Sequence, residues 1–210
     1  MTSPPHDRCF PPIAARTAHT LILGSLPGRR SLEQQQYYAH PQNAFWKLIA
    51  HIFDIPRELP YERRTRALTR HGIALWDVFA AAERPGSLDS AIVHDTAEAN
   101  DFREFLRAHP QIRRVFFNGR KSEEIFRRRV LPRIGTEFPG LRYAGLPSTS
   151  PAHAGMDFAG KLARWRAIRD QRAGTGLTAD TRARSRRPSG AGRSRRRRPS
   201  ARPSRRPPRC

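Results

Sequence analysis

Thr20-Leu21-Ile22-Leu23-Gly24, followed at once by Ser25-Leu26-Pro27-Gly28, decides how the rest of the chain is read. A short run of large aliphatic residues closed by Gly, Ser and Pro reads as a buried strand running into a loop. Downstream, Asn43 precedes Phe45, Trp46, Ile49, Ile52 and Phe53 at three- to four-residue spacing, which predicts an amphipathic helix with Asn43 as its N-cap. The two patterns then alternate. Residues 61–71 read as a charged helix stopped by Gly72, 73–79 as a strand, 97–109 as a helix ending before Pro110, and 112–117 as a strand. Residues 121–130 follow as helix and 141–146 as strand. The last helix starts near Asp157 and lines up Phe158, Leu162, Trp165 and Ile168. Strands alternating with helices predict an α/β fold, a parallel sheet with helices on both faces. Ligands of such folds sit at the carboxyl ends of the strands. The unusual residues gather there: Gly24 to Gly28, Asp77, Asn118-Gly119 and 147–153.

The 210 residues carry 40 Lys+Arg against 18 Asp+Glu, a formal charge of +22. From Gln171 to Cys210 there are 14 Arg and one Asp, net +13, which leaves +9 for residues 1–170. The hydrophobic residues of that stretch are five Ala, Leu177 and Cys210. So little apolar surface does not offset the entropy of ordering, and the stretch is expected to be disordered. The expected organisation is an N-terminal extension over 1–17, an α/β domain over 18–170, and an Arg/Ser/Pro-rich disordered tail over 171–210. No apolar run approaches the roughly 18 residues of a membrane span. The N-terminus has no apolar core of a secretory signal. A cytoplasmic chain with no membrane association is expected. Cys9 and Cys210 stand at opposite ends, too few for a disulfide framework, a zinc site or an iron–sulfur cluster built on cysteine. A protein without metal or other cofactor is expected.

The loops at the strand ends carry groups suited to a nucleotide. A Gly/Pro loop at Gly24-Ser25 lets backbone approach a ligand closely, and Tyr37-Tyr38 offers a flat face on which a base can stack. Turn and core roles fit the same residues, and Asn43 serves equally as a plain cap. Ser148, Thr149 and Ser150 can present hydroxyls and backbone N–H groups to a phosphate, or satisfy their own turn.

Taken together, Gly24-Ser25-Leu26-Pro27-Gly28, Tyr38-Ala39-His40-Pro41-Gln42-Asn43-Ala44-Phe45-Trp46, Gly72-Ile73-Ala74-Leu75-Trp76-Asp77-Val78 and Leu146-Pro147-Ser148-Thr149-Ser150-Pro151 resemble the uracil-DNA glycosylase superfamily. Within it they look most like the hypoxanthine (deoxyinosine) DNA glycosylase branch, over roughly residues 18–170. The resemblance implies a three-layer α/β/α fold with a four-stranded parallel central sheet. It implies metal-free hydrolysis of the N-glycosidic bond of a damaged base flipped out of DNA. The iron–sulfur branches need cysteines that this chain lacks.

Site roles follow from the same resemblance. Tyr38 falls where mismatch-specific uracil glycosylases place a stacking Phe. Leu26 stands where they carry a catalytic Asn, so the polar role passes to Asn43, expected to position a water near the anomeric carbon. Asp77 aligns with the Asn that reads the uracil edge. An ionised carboxylate only accepts hydrogen bonds; hypoxanthine offers N1–H, whereas adenine presents a bare N1. Gly24 and Ser25 complete the base-binding set. Ser148, Thr149, Ser150 and His153 are expected at the DNA phosphates, with His40 in an orienting role. The tail suits sequence-independent phosphate binding. The expected activity is a monofunctional glycosylase releasing hypoxanthine from deoxyinosine, acting as a monomer on DNA containing a deaminated base and associated with the nucleoid. The alternatives are a uracil or mismatch glycosylase of the same fold and a non-catalytic DNA-binding module.

Overall fold

The computed structural model describes residues 6–83 and 97–169; the expected tail lies outside the described residues. In chain order the elements are β1 (His6–Arg8), β2 (Thr20–Gly24), α1 (Arg29–Gln34), α2 (Phe45–Phe53), α3 (Tyr61–Arg70), β3 (Ile73–Asp77), β4 (Phe79–Glu83) and β5 (Glu98–Ala99). There follow α4 (Phe102–Ala108), β6 (Arg114–Asn118), α5 (Arg120–Arg129), α6 (Leu131–Ile134), β7 (Arg142–Leu146) and α7 (Phe158–Trp165), the last continued by a 3₁₀ turn over Arg166–Ile168.

The expected sheet is present: four parallel strands in the order β3-β2-β6-β7. Every residue of β2 and of β3 is buried, as strands covered on both faces must be. Alternation sorts the side chains. Leu21, Leu23, Trp76, Val115 and Phe117 pack with Phe102, Phe105, Ile125 and Phe126 of α4 and α5. Ile22, Leu75 and Phe116 pack on the other face with Phe45, Ile49 and Ile52 of α2, Leu68 of α3, and Trp165 of α7. That makes three layers, α/β/α. The register pairs Gly24 with Asp77, Leu23 with Phe117, and Asn118 with Leu146, so the carboxyl ends of all four strands finish in one row.

Three expectations need correction. The strand read over 73–79 breaks at Val78: its N–H donates to the Gly24 carbonyl (2.9 Å) and that of Phe79 to Ser25 (3.1 Å), which turns the chain out of the parallel sheet. Phe79 then opens β4, the middle strand of a second, antiparallel sheet in the order β1-β4-β5. The helix read from residue 97 begins only at Phe102, because Glu98 and Ala99 pair with β4 and Asp101 caps the helix, accepting from the Glu104 N–H at 3.0 Å. Finally, Asn43 is not the N-cap of α2. That position is Ala44, and the Asn43 side chain accepts from the Phe45 N–H two residues on, at 3.0 Å. The described part of the expected N-terminal extension is woven in: β1 pairs with β4, and Ile13 bridges Leu75.

Other signals hold. Gly72 takes φ +71 after α3, where a side chain would also overlap the His19 ring. Asp157 caps α7, accepting from the Gly160 N–H at 2.8 Å. Among the described residues no helix is long and apolar enough to cross a membrane.

Candidate active site

At the carboxyl end of β2, the absence of a side chain at Gly24 is what lets the site close. A Cβ there would overlap Oδ1 of Asp77 and stand 3.2 Å from the Tyr38 hydroxyl, so carboxyl and phenol converge on the Gly24 backbone. Asp77, at the end of β3, is 3% exposed. Its backbone carbonyl accepts from Nδ2 of Asn100 at 2.9 Å. Burial, and after it the Asp77 carboxylate, push the neighbouring Tyr37 phenol far above its ordinary pKa. A buried negative charge costs free energy unless hydrogen bonds or a ligand use it. Ser25 is buried beside Gly24, its carbonyl holding the Phe79 N–H. Gly24→Ala is therefore expected to displace Asp77, with a stability loss of about 1–3 kcal/mol. Thermal melting checks it; a wild-type melting temperature would separate the carboxyl's placement from Gly24.

Tyr38 is held in an unusual backbone state, φ +58, which β-carbon sterics disfavour by roughly 1–2 kcal/mol. Its predecessor imposes it. The Tyr37 N–H donates to the Tyr61 hydroxyl (2.8 Å), the Tyr37 carbonyl accepts from the Trp46 indole (2.9 Å), and the Tyr37 hydroxyl donates to the Phe10 carbonyl (3.2 Å). So fixed, the Tyr38 ring lies on Phe45 at 4.0 Å between centroids and 22° between planes. The pair forms a stacked aromatic platform at the strand ends, with Tyr38 half-buried.

Asn43 is pinned twice. Its N–H donates to the His40 carbonyl (2.8 Å), and its Oδ1 accepts from Phe45. Its amide nitrogen makes no hydrogen bond among the described residues, so the amide is oriented while its donor is unused. His40 plays the expected orienting part, Nδ1 accepting from the Gln42 N–H at 3.2 Å. Next to Asn43, the Ala44 N–H donates to the Thr149 carbonyl (3.0 Å). Leu26 is buried in the apolar cluster with Leu23 and Trp76 and offers no polar atom.

Asn118, noted in the sequence only among the unusual residues at the strand ends, proves to be a brace. Its Oδ1 accepts from the Thr149 N–H at 2.9 Å and its Nδ2 donates to the Thr149 hydroxyl at 2.8 Å. Thr149 is 1% exposed, and with the Ala44 bond both its backbone groups are in use. Gly119, φ +99, packs against Ser148, whose Cβ would lie 2.9 Å from any Cβ at 119. Ser148 and Ser150 are half-buried and accept from the N–H groups of Ser150 (3.2 Å) and Ala152 (3.3 Å). His153 is exposed, tied back by its N–H to the Ser150 carbonyl at 3.0 Å. Gly24, Asp77 and Tyr38 thus form one cluster, linked through Phe45 to Asn43 and through Ala44 to Thr149 and Asn118. His153 stands at the outer end of the last loop. Asn100 was not singled out and Asn118 was given no role, because each acts through partners 23 and 31 residues away, which local pattern does not reveal.

Comparison with known proteins points the same way. A family model described as the uracil DNA glycosylase superfamily matches residues 11–170. A hypoxanthine DNA glycosylase of Methanosarcina acetivorans is 42% identical over 118 residues, covering 56% of this chain and 73% of the relative. One of Methanosarcina barkeri is 42% identical over 116 residues, covering 55% and 72%. A solution NMR structure of a Methanosarcina acetivorans protein assigned to the uracil DNA glycosylases superposes with a TM-score of 0.66 at 35% identity, covering 78% of this chain and 96% of that one.

Proposed function

The chain belongs to the uracil DNA glycosylase superfamily, and from that premise we propose that it hydrolyses the N-glycosidic bond of deoxyinosine in DNA and releases hypoxanthine. It is a DNA glycosylase for deaminated bases, as its relatives' names indicate of them. The observation that carries the choice of base is the buried Asp77 carboxyl packed on the Gly24 backbone beside Tyr38.

The target nucleotide leaves the stack, since its glycosidic bond is out of reach inside a duplex. The purine settles on the Tyr38–Phe45 platform. Asp77 accepts a hydrogen bond from N1–H, which adenine lacks. Guanine carries N1–H as well and is excluded by pocket shape or by remaining paired. The Asn43 amide orients a water toward C1′ on the face opposite the base. An amide is too weak a base to deprotonate that water. It suffices because the sugar acquires oxocarbenium character before the nucleophile is fully bound. The water oxygen bonds to C1′, the C1′–N9 bond breaks with its electron pair on the purine, and the proton that the bound water sheds to solvent is balanced by the one that the departing hypoxanthine takes up. No lysine lies in the four motifs to form a Schiff base, so the product is an intact abasic site.

Ser148, Ser150 and His153 serve the phosphates beside the flipped nucleotide, and Thr149, buried and fully bonded, holds their loop in shape. One copy of the chain supplies every group named, and a basic monomer on the nucleoid is the working arrangement. The uracil reading persists as the second possibility because uracil also presents a donor, N3–H. Matched oligonucleotides bearing one inosine, uracil, xanthine or ethenoadenine, treated with alkali after incubation, test the proposal. Strand breaks mainly at inosine support it; breaks mainly at uracil transfer the activity to the second reading, and tight binding without breaks leaves a non-catalytic DNA binder.

The tail, with 14 Arg, is assigned the nonspecific part of DNA affinity through counterion release. Removing residues 171–210 is expected to weaken binding at about 0.1 M salt by tenfold or more and to flatten its salt dependence, with base choice unchanged. Titrations at several salt concentrations check the first part. A truncated protein with altered base preference would overturn the assignment.

A further inference from the structure

Lys161, on α7, is 6% exposed. Its ammonium donates to the His153 carbonyl at 2.9 Å, and among the described residues it meets no carboxylate. Burial lowers its pKa, with no acidic neighbour to restore it. An ammonium out of water without a counter-charge is a standing penalty on the fold. A methionine of similar length would lift that penalty.

One helical turn on, Trp165 donates its indole N–H to the Pro147 carbonyl at 2.9 Å. Residues four apart share a helix face, so α7 grips both ends of the 147–153 loop by their carbonyls. Midway, Thr149 is held by Asn118. The loop carries half-buried Ser148 and Ser150 and exposed His153, and the ammonium reaches it at the His153 carbonyl.

We propose that Lys161 is a positioning residue for the 147–153 loop and also the buried positive charge that a DNA phosphodiester seated on that loop neutralises. The proposal rests on the reading above only in taking DNA as the ligand, not in the choice of base.

The test uses the full chain with Lys161→Gln, Lys161→Met and Lys161→Arg, and an undamaged short duplex titrated over a range of salt. Glutamine keeps a donor for the His153 carbonyl but removes the charge. One phosphate contact contributes about 0.9 to the slope of log K against log salt. Lys161→Gln and Lys161→Met are each expected to flatten the slope by about that amount and to weaken low-salt binding by about tenfold. Lys161→Met should melt at or above the wild-type temperature, and Lys161→Arg should keep the wild-type slope. A wild-type slope in Lys161→Gln overturns the proposal whatever the melting temperatures, and leaves Lys161 a loop brace only. Because the duplex carries no lesion, either result stands whether or not inosine is the substrate.

Discussion

Changing Asn43 to alanine is expected to lower the single-turnover rate of hypoxanthine release by about 10²- to 10³-fold, the loss typical of removing one oriented polar group from a transition state. Affinity for inosine-containing duplex should be essentially unchanged. Phe45 fixes the Asn43 amide through Oδ1 at 3.0 Å, and the amide nitrogen has no partner among the described residues. Loss of that link to the start of α2 costs about 1 kcal/mol of stability, by the scale of helix capping side chains. A folded protein that is slightly less stable does not lose two orders of magnitude in rate, so rate and melting temperature read different roles. Single-turnover kinetics with enzyme in excess, alongside a melting curve, make the measurement. Wild-type turnover from the folded variant would move the catalytic role to another group of the site.

Asp77→Asn is expected to cut the inosine rate by about 10- to 150-fold, equivalent to the 1.5–3 kcal/mol of a hydrogen bond to a charged group. Shape is nearly conserved, and the amide still fits against Gly24, so the fold should stand. What changes is chemistry. A carboxylate accepts only, whereas an amide both donates and accepts. The variant gains a donor for the bare N1 of adenine and a complementary pair for the N3–H and O4 of uracil. Discrimination against adenine should narrow, and the inosine-to-uracil rate ratio should fall. Competing rates on matched duplexes measure both. An unchanged ratio in an active variant would remove Asp77 from base reading.

Much of the architecture was legible because it rests on local pattern. The five aliphatic-rich residues of β2, the apolar spacing of α2, Gly72 after α3 and Asp157 before α7 each carry their cause within a few residues. Where the cause is distant, pattern fails. Nothing in Phe79-Ala80-Ala81-Ala82-Glu83 announces a second sheet, since its pairing is set by His6–Arg8 some 70 residues earlier. Glu98 and Ala99 read as helix for the same reason.

The candidate site divides along the same line. Gly24 and Asp77 were singled out separately, and the structure supplies the reason they belong together, the missing Cβ that the carboxyl occupies. Tyr38 was legible as a flat face but not as a left-handed residue whose predecessor, Tyr37, is held by Tyr61 and Trp46. Thr149 was grouped with its hydroxyl neighbours, yet only the fold turns it inward to Asn118. Lys161 gave no signal at all, because a lysine in an amphipathic helix ordinarily faces water.

The central claim is that a buried carboxylate reads hypoxanthine on a tyrosine platform. The most direct measurement is a crystal structure of the Asn43→Ala protein bound to a duplex with one deoxyinosine. The account predicts the base out of the stack, its purine on Tyr38 and its N1–H within hydrogen-bonding distance of the Asp77 carboxylate. A flipped hypoxanthine whose N1 meets another group, with Asp77 turned away from the base, would contradict it.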